Sequence, residues 1–259
     1  MPVLHDSALS IELVAEGLKF PTSLRFIDGP DNNNNNNNNK EPQLTEEVIA
    51  RLTTPTIPAA EALGSASAPV TIVEFGDYLC TYCHRFHEET KDQLVANYVD
   101  TGKVRFIFKD FPINDHLGGG SSLGAQAAYC AADQGRFWQF HDQMYNDWGG
   151  EKAGWVTKES MARYAQAAGV KDTEQFKSCL DSAKYAGVVR DNYQLAQSVG
   201  LDSTPSFIII PNAKGGQPQL IRGAYPYAAF QSVLDKMVGG SSSSSGSTGA
   251  PEKAGPSAG

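Results

Sequence analysis

Residues 69–83 read PVTIVEFGDYLCTYC, an apolar, β-branched run that breaks at Gly76-Asp77 and ends on two cysteines separated by two residues. Pro69 to Phe75 has the length and composition of a buried strand, and Gly76 and Asp77 are turn residues. Thr81 to Val99 then carries apolar positions such as Phe86, Leu94 and Val95, which predict a helix. Val104 to Phe108, VRFIF, predicts a second strand. A strand, a helix and a strand in such quick succession form a βαβ unit, with a parallel pair and a right-handed crossover. Cys80 therefore falls where a strand hands over to a helix.

That position has a chemical consequence. The first turn of a helix carries unpaired N–H groups and a partial positive charge, which stabilise a thiolate. Cys83, one turn on and deeper, is within reach of a mixed disulfide formed on Cys80 and can resolve it by expelling the bound partner. The spacing thus makes Cys80 the attacking sulfur and Cys83 the resolving one, and His84 on the same face either adds positive charge or is merely solvated. Two other chemistries share part of the pattern. Half of a zinc site has the same Cys-x-x-Cys spacing, but there is no second cysteine pair, only His84 and His87 on the same helix. CTYCH is also the pattern of covalent haem attachment. Against haem, the motif follows a buried strand, and no methionine stands out as a second axial ligand. No metal and no cofactor are expected.

Working outward, residues from Gly118 to about Tyr185 read as helical. Phe137, Phe140, His141, Met144, Tyr145 and Trp148 fall on one face, Thr157 and Asp172 look like N-caps, and Gly169 looks like a stop. The stripe is core packing, and His141 within it is a core histidine rather than a ligand. A longer helix, about Ala183 to Val199, ends at Gly200. A turn (Asp202 to Pro205), a strand (Ser206 to Ile210), a Gly-rich turn (Lys214 to Gln217), a strand (Gln219 to Arg222) and a last helix (Pro226 to Val238) complete the chain. The order β-α-β, helical block, α-β-β-α is an α/β, thioredoxin-like fold with an inserted helical domain at about 118–185.

The folded block is expected at 66–238. Residues 1–65 read as leader and linker, with an asparagine run at 32–39, and 239–259 as a Ser/Gly/Pro-rich tail. ELVAEGLKFPTSLRFIDG, residues 12–29, resembles the opening strand of the sugar-dehydrogenase β-propellers, a piece too short to carry propeller activity. Thr45 is placed to cap a short helix through Leu52, which Pro55 and Pro58 end.

The formal net charge is −8 with no basic stripe, which argues against nucleic acid and anionic membrane surfaces. No apolar run reaches the ~20 residues of a membrane helix. No signal peptide is visible at Met1 to Ser10. The four cysteines form one tight pair and one distant pair, a usage that suits an extracytoplasmic redox protein. Cys130 is placed on the first inserted helix (Ser121 to Asp133) and Cys179 on a later one (Thr173 to Ser182). A structural disulfide between them is expected, and the alternative is two buried thiols behaving as small hydrophobes.

Four blocks carry a family resemblance: EFGDYLCTYCHRFHEE (74–89), FKDFPI (108–113), AAYCAADQGRFWQFHDQMY (127–145) and STPSFII (203–209). In this order they resemble the DsbA-like thiol–disulfide oxidoreductases, in particular the BdbD type, from about Ala68 to Met237. The resemblance implies an enzyme that oxidises cysteines of exported proteins, with a membrane quinone-linked thiol oxidase as its redox partner. It also implies that Cys80 is the exposed nucleophile and Cys83 its buried partner. Glu74 would move the proton of Cys83, and Thr204-Pro205 would be the cis-proline loop that presents the Thr204 backbone to a substrate strand. Asp110 and His116 read as polar surface. The dipeptide Thr81-Tyr82 departs from the Pro-His of the best-known oxidases, which leaves the oxidising strength open. A reductase or isomerase on the same fold, and a tethered redox module of a larger envelope protein, are the competing readings.

Overall fold

In a computed structural model of the chain, residues 44–57, 62–213 and 216–240 are described. The reading of 12–29, the asparagine run, half of the Lys214 to Gln217 turn and nearly all of the C-terminal tail lie outside them.

Among the described residues the sheet has five strands in the order β1-β3-β2-β4-β5. These are β1 (Ala62–Leu63), β2 (Val70–Gly76), β3 (Val104–Asp110), β4 (Ser206–Pro211) and β5 (Gln219–Arg222). The pair β2 and β3 is parallel, with Val70 opposite Val104 and Glu74 opposite Phe108. β4 and β5 continue the sheet antiparallel on the other side of β2. Every residue of β2 is buried, because helices cover both faces of the sheet and leave no polar side to alternate with.

Among the described residues, eight α-helical segments stand around the sheet. α1 is Glu46–Thr53, and α2 runs continuously over residues 81–99. The four helices of the insertion are α3 (Gly120–Ala132), α4 (Phe137–Asn146), α5 (Lys158–Ala167) and α6 (Thr173–Asp181). α7 (Ala186–Ser198) and α8 (Tyr227–Gly240) belong to the second half of the sheet unit. Two stretches of α2, His87–Lys91 and Val95–Val99, are wound in wide π-turns, which hydrophobic spacing alone does not announce.

Strand parity sorts the core. Val70 and Ile72 pack with Phe86, Leu94, Phe207 and Phe230, under α2 and α8. Val73 and Phe75 face the other way and pack with Leu195, Ala196 and Ile208, under α7. Side chains alternate along a strand, so Glu74 shares the face of Val70 and Ile72 and points beneath α2. The helical insertion has its own core, built on Tyr129, Phe137, Phe140, Met144 and Phe176 and continuous with Tyr78 and Phe108 of the sheet unit. Cys130 on α3 and Cys179 on α6 are joined in a disulfide within it.

Two features differ from the sequence reading. Part of the stretch read as linker belongs to the fold. Thr45 accepts a capping hydrogen bond from the Val48 amide at 3.2 Å, and Leu44 and Leu52 are buried with Val73 and Phe75. β1 pairs antiparallel with β3, Ala62 opposite Ile107. A helix of eight residues and a strand of two carry too little periodicity to reveal that they dock. The second correction is Asp110, which is not surface. It ends β3 in the core, accepts hydrogen bonds from the Tyr129 hydroxyl and from Asn192 Nδ2, and is pushed up to about 6 by burial. It ties β3 to α3 and α7. His116, by contrast, is exposed.

Candidate redox site

The site begins at the turn between β2 and α2. Gly76 is needed there because a Cβ would come within 2.5 Å of Phe108 Cε2. Asp77 follows, buried, and acts as a staple. Its Oδ1 accepts from the Leu79 amide at 2.9 Å and from the Ser121 hydroxyl at 2.6 Å, and its Oδ2 accepts from the Asn114 amide at 2.8 Å. One carboxylate thereby fixes the turn to the following loop and to α3. Burial raises its pKa, and these three donors oppose that rise. Sequence reasoning saw Asp77 only as a turn residue, since the contacts that give it a role arise 37 and 44 positions away.

Cys80 is the N-cap of α2, with extended backbone (φ −71°, ψ 124°), and Cys83 lies in its first turn. Both are free thiols. Cys83 is 0 % exposed and receives the Asp77 amide on its sulfur at 3.4 Å. Cys80 is 6 % exposed, so the reading of an exposed nucleophile needs correction: it is the more accessible of two buried sulfurs. The reason is the loop before β4, which closes over it. The Thr204-Pro205 peptide is cis, and the Cys80 thiol donates to the Thr204 carbonyl at 3.4 Å.

The two thiols are driven apart in acidity. A hydrogen bond from Cys83 is the largest influence lowering Cys80, to about 7; burial opposes it, and Thr204 and the amides of Cys83 and Tyr82 lower it further. Burial pushes Cys83 well above the ordinary thiol range, and its hydrogen bond to Cys80 and the charges of Cys80 and Glu74 push the same way. Glu74, 2 % exposed, is raised to about 8 chiefly by burial, with Lys91 opposing and Cys80 adding to the rise. One low-pKa thiol, one high-pKa thiol and one carboxyl that titrates near neutrality therefore share a single pocket. That combination can pass a proton while a disulfide forms or breaks.

Outside the pocket the rim is partly apolar. Tyr82 is 57 % exposed, with the Arg85 guanidinium 5.4 Å from its ring centre. Arg85 also donates to the Ala224 carbonyl at 2.7 Å, which anchors this edge of α2 to the segment after β5. His84 is held against the helical insertion rather than loose in solvent. Its ring stacks on Trp148 at 4.6 Å and its Nδ1 lies 3.1 Å from the Tyr145 carbonyl. That packing bears on the haem pattern: the motif histidine is wedged against the helical insertion, and Cys83 offers no accessible sulfur for a thioether.

Below α2 lies a polar cluster that sequence reasoning did not assemble. His87, His141 and Asp142 bring potential ligand atoms within 4.8 Å of one another. The Lys91 ammonium stands 2.7 Å from Asp142 Oδ1, and His141 Nδ1 lies 2.9 Å from the same oxygen. A cation at this carboxylate would meet the charge of Lys91, so the cluster reads as an internal ion pair joining α2 to α4. Burial holds His141 down at about 4 and also lowers His87. Burial works to raise Asp142, but His141 and Lys91 outweigh it and hold the carboxyl well below its usual range.

A thioredoxin family model, described simply as "Thioredoxin", matches residues 56–221. A probable disulfide bond formation protein D of Bacillus anthracis is 34 % identical over 155 residues, which span 59 % of this chain and 70 % of that protein. The oxidised crystal structure of BdbD from Bacillus subtilis superposes with a TM-score of 0.63 at 26 % identity, covering 71 % of this chain and 96 % of that one. A periplasmic thioredoxin-like protein from Salmonella enterica serovar Typhimurium gives 0.56 at 25 % identity, covering 76 % of this chain and 99 % of that one.

Proposed function

The chain belongs to the thioredoxin family, among its DsbA-like disulfide bond formation proteins, and we propose that it oxidises cysteine pairs of exported proteins through Cys80. It is a protein thiol–disulfide oxidoreductase acting on cysteine-containing substrates. What supports the assignment of roles is the opposite displacement of the two thiols, Cys80 down to about 7 and Cys83 far up.

The cycle follows from that asymmetry. In the oxidised enzyme a substrate thiolate attacks Cys80 Sγ, a new S–S bond forms, and the Cys80–Cys83 bond breaks with Cys83 leaving as a thiolate. A buried thiolate of such high basicity takes up a proton at once. Glu74, titrating near 8, holds one at neutral pH and lies beneath the same helix. The second substrate thiolate attacks the substrate's own sulfur, closes the substrate disulfide and releases Cys80 as a thiolate. Substrate has lost two electrons and the enzyme has gained them. Reoxidation runs the steps backward: the Cys80 thiolate attacks a disulfide of a membrane quinone-linked thiol oxidase and releases one of its sulfurs as a thiolate. Cys83 then gives its proton to Glu74 and attacks Cys80, and the oxidase's second sulfur leaves as a thiolate with the two electrons.

Thr204 and Pro205 are the substrate-binding edge in this reading. The Thr204 carbonyl now engaged by the Cys80 thiol is a backbone acceptor at the mouth of the site. An extracytoplasmic location fits the Cys130–Cys179 bridge and the periplasmic relative. No helix among the described residues is long and apolar enough to cross a membrane. The test is catalysis of disulfide formation in a reduced, unfolded secretory protein, run beside insulin reduction. Faster oxidation with little insulin reduction supports the proposal. The reverse pattern would assign a reductase.

A further inference from the structure

The amides that open α2 are shared between two anions. Those of Cys83 and Tyr82 favour the Cys80 thiolate. The amide of Thr81, the residue between cap and turn, donates instead to Glu151 Oε2 at 3.4 Å, and the Thr81 hydroxyl donates to the same oxygen at 2.7 Å. Glu151 reaches the helix from the loop after α4, 70 positions along the chain. The loop is built to hold it there. Gly149 sits against the Trp155 indole so closely that a Cβ would come within 2.6 Å of its Cγ, and Trp155 Nε1 donates to the Gly150 carbonyl at 3.0 Å. No ion pair among the described residues neutralises Glu151.

We propose that Glu151 is a positioning residue that sets the oxidising strength of the Cys80 site by placing a second negative charge on the helix terminus that the thiolate uses. The inference rests on the reading of Cys80 as the exchanging sulfur. Two anions at one terminus repel, and an amide committed to a carboxylate gives less of its dipole to the neighbouring sulfur. Glu151 thus raises the Cys80 thiol, destabilises the reduced protein relative to the disulfide and moderates the enzyme as an oxidant. The other titratable groups acting at the site are Cys83 on α2, which hydrogen-bonds to Cys80, and Glu74 on β2, whose charge acts on Cys83. The mechanism reaches across the inserted domain: a residue of the insertion tunes a thiol of the sheet unit.

The test is Glu151→Gln, which keeps an acceptor for Thr81 and removes the charge, with Glu151→Ala alongside. Cys80 acidity is read from the pH dependence of thiolate absorbance and of its alkylation, and redox strength from the equilibrium with glutathione. The glutamine variant is expected to lower the Cys80 pKa and to shift the glutathione equilibrium roughly two- to fivefold toward the reduced protein, the range that a charge at a helix terminus carries. The alanine variant should shift at least as far, and added salt should shrink the difference. A folded glutamine variant with unchanged or raised Cys80 pKa would overturn the proposal, whatever its thermal stability, because a merely structural contact survives that substitution. If the wild-type protein did not exchange with glutathione at all, the functional reading would fail, while the absorbance titration would still decide the role of Glu151.

Discussion

The sulfur of Cys80 and the carbonyl oxygen of Thr204 lie 3.4 Å apart although 124 positions separate them in the chain. The contact places the proposed nucleophile under a backbone edge, while Cys83 lies deeper, so accessibility is asymmetric within the Cys-x-x-Cys pair. A partner that approaches along that edge reaches Cys80 before Cys83, which has no exposed surface. Cys80→Ala should therefore abolish exchange, whereas Cys83→Ser should accumulate mixed disulfides through Cys80. Mass spectrometry of trapped partners checks this, and adducts on Cys83 in the converse variant, Cys80→Ser, would reverse the assignment.

The acidity of Cys80 predicts a pH profile. With the thiol lowered to about 7, its alkylation in the reduced protein should rise with pH through a midpoint near 7 and then level off. Cys83 should stay unmodified over that range, because burial holds it as a thiol. Site-resolved iodoacetamide kinetics measure both. A Cys80 midpoint near that of an ordinary thiol, about 8.5, would remove the basis for its nucleophilic role.

Glu74 makes a prediction about stability whose sign is fixed by linkage. Its folded pKa, about 8, stands above the ordinary 4.5, so the native state binds the extra proton between those values. Stability then falls as pH rises from about 4.5 to about 8, since the unfolded chain ionises the group without the cost of burial. Glu74→Gln should leave stability near its wild-type value at pH 4 and raise it at pH 8 by roughly 2 to 4 kcal/mol, the differential worth of a shift of this size after relaxation. Denaturant unfolding of the reduced proteins at both pH values tests this. The same substitution removes the proposed proton carrier, so resolution of a mixed disulfide by Cys83 should slow. A variant that is equally destabilised at both pH values would show Glu74 to be a packing residue only.

The bridge between Cys130 and Cys179 closes a loop of 49 positions inside the insertion. The chain-entropy argument assigns such a loop about 4 kcal/mol, an upper figure for a real bridge. Replacing both cysteines with alanine should lower the stability of the whole domain by roughly 2 to 4 kcal/mol. Cys80 should keep its reactivity at temperatures where the variant remains folded. Calorimetry alongside alkylation separates the two effects. Loss of Cys80 acidity in the folded variant would mean that the bridge shapes the redox site as well as the insertion.

Much of this organisation is carried by local pattern, and the rest by contacts that pattern does not encode. The run from Pro69 to Cys83 announces strand, turn and helix because each is written in neighbouring residues. Thr157 and Asp172 cap α5 and α6, since a cap needs only the three residues that follow. Asp110 is the opposite case. Nothing beside it in sequence distinguishes a surface aspartate from one held by Tyr129 and Asn192, 19 and 82 positions on. Lys91 and Asp142 are likewise ordinary helix residues until α2 and α4 pack and bring their charges within 2.7 Å. Glu151 sits in a glycine-rich loop whose path no short motif specifies. The burial of Cys80 escapes local pattern for the same reason: the loop that covers it lies 124 positions further along the chain.

A stabilised Cys80 thiolate makes the reduced protein the favoured form, and the reduction potential measures that directly. Equilibration with defined glutathione mixtures, followed by acid quench and thiol counting, gives the value. The helix terminus and the Thr204 loop predict a potential above thioredoxin's roughly −270 mV, while the uncharged Thr81-Tyr82 dipeptide keeps it below the strongest oxidants near about −120 mV. The reduced protein should correspondingly be the more resistant to denaturant. A potential at or below that of thioredoxin, with the disulfide form the more stable, would contradict the account and make the protein a reductase.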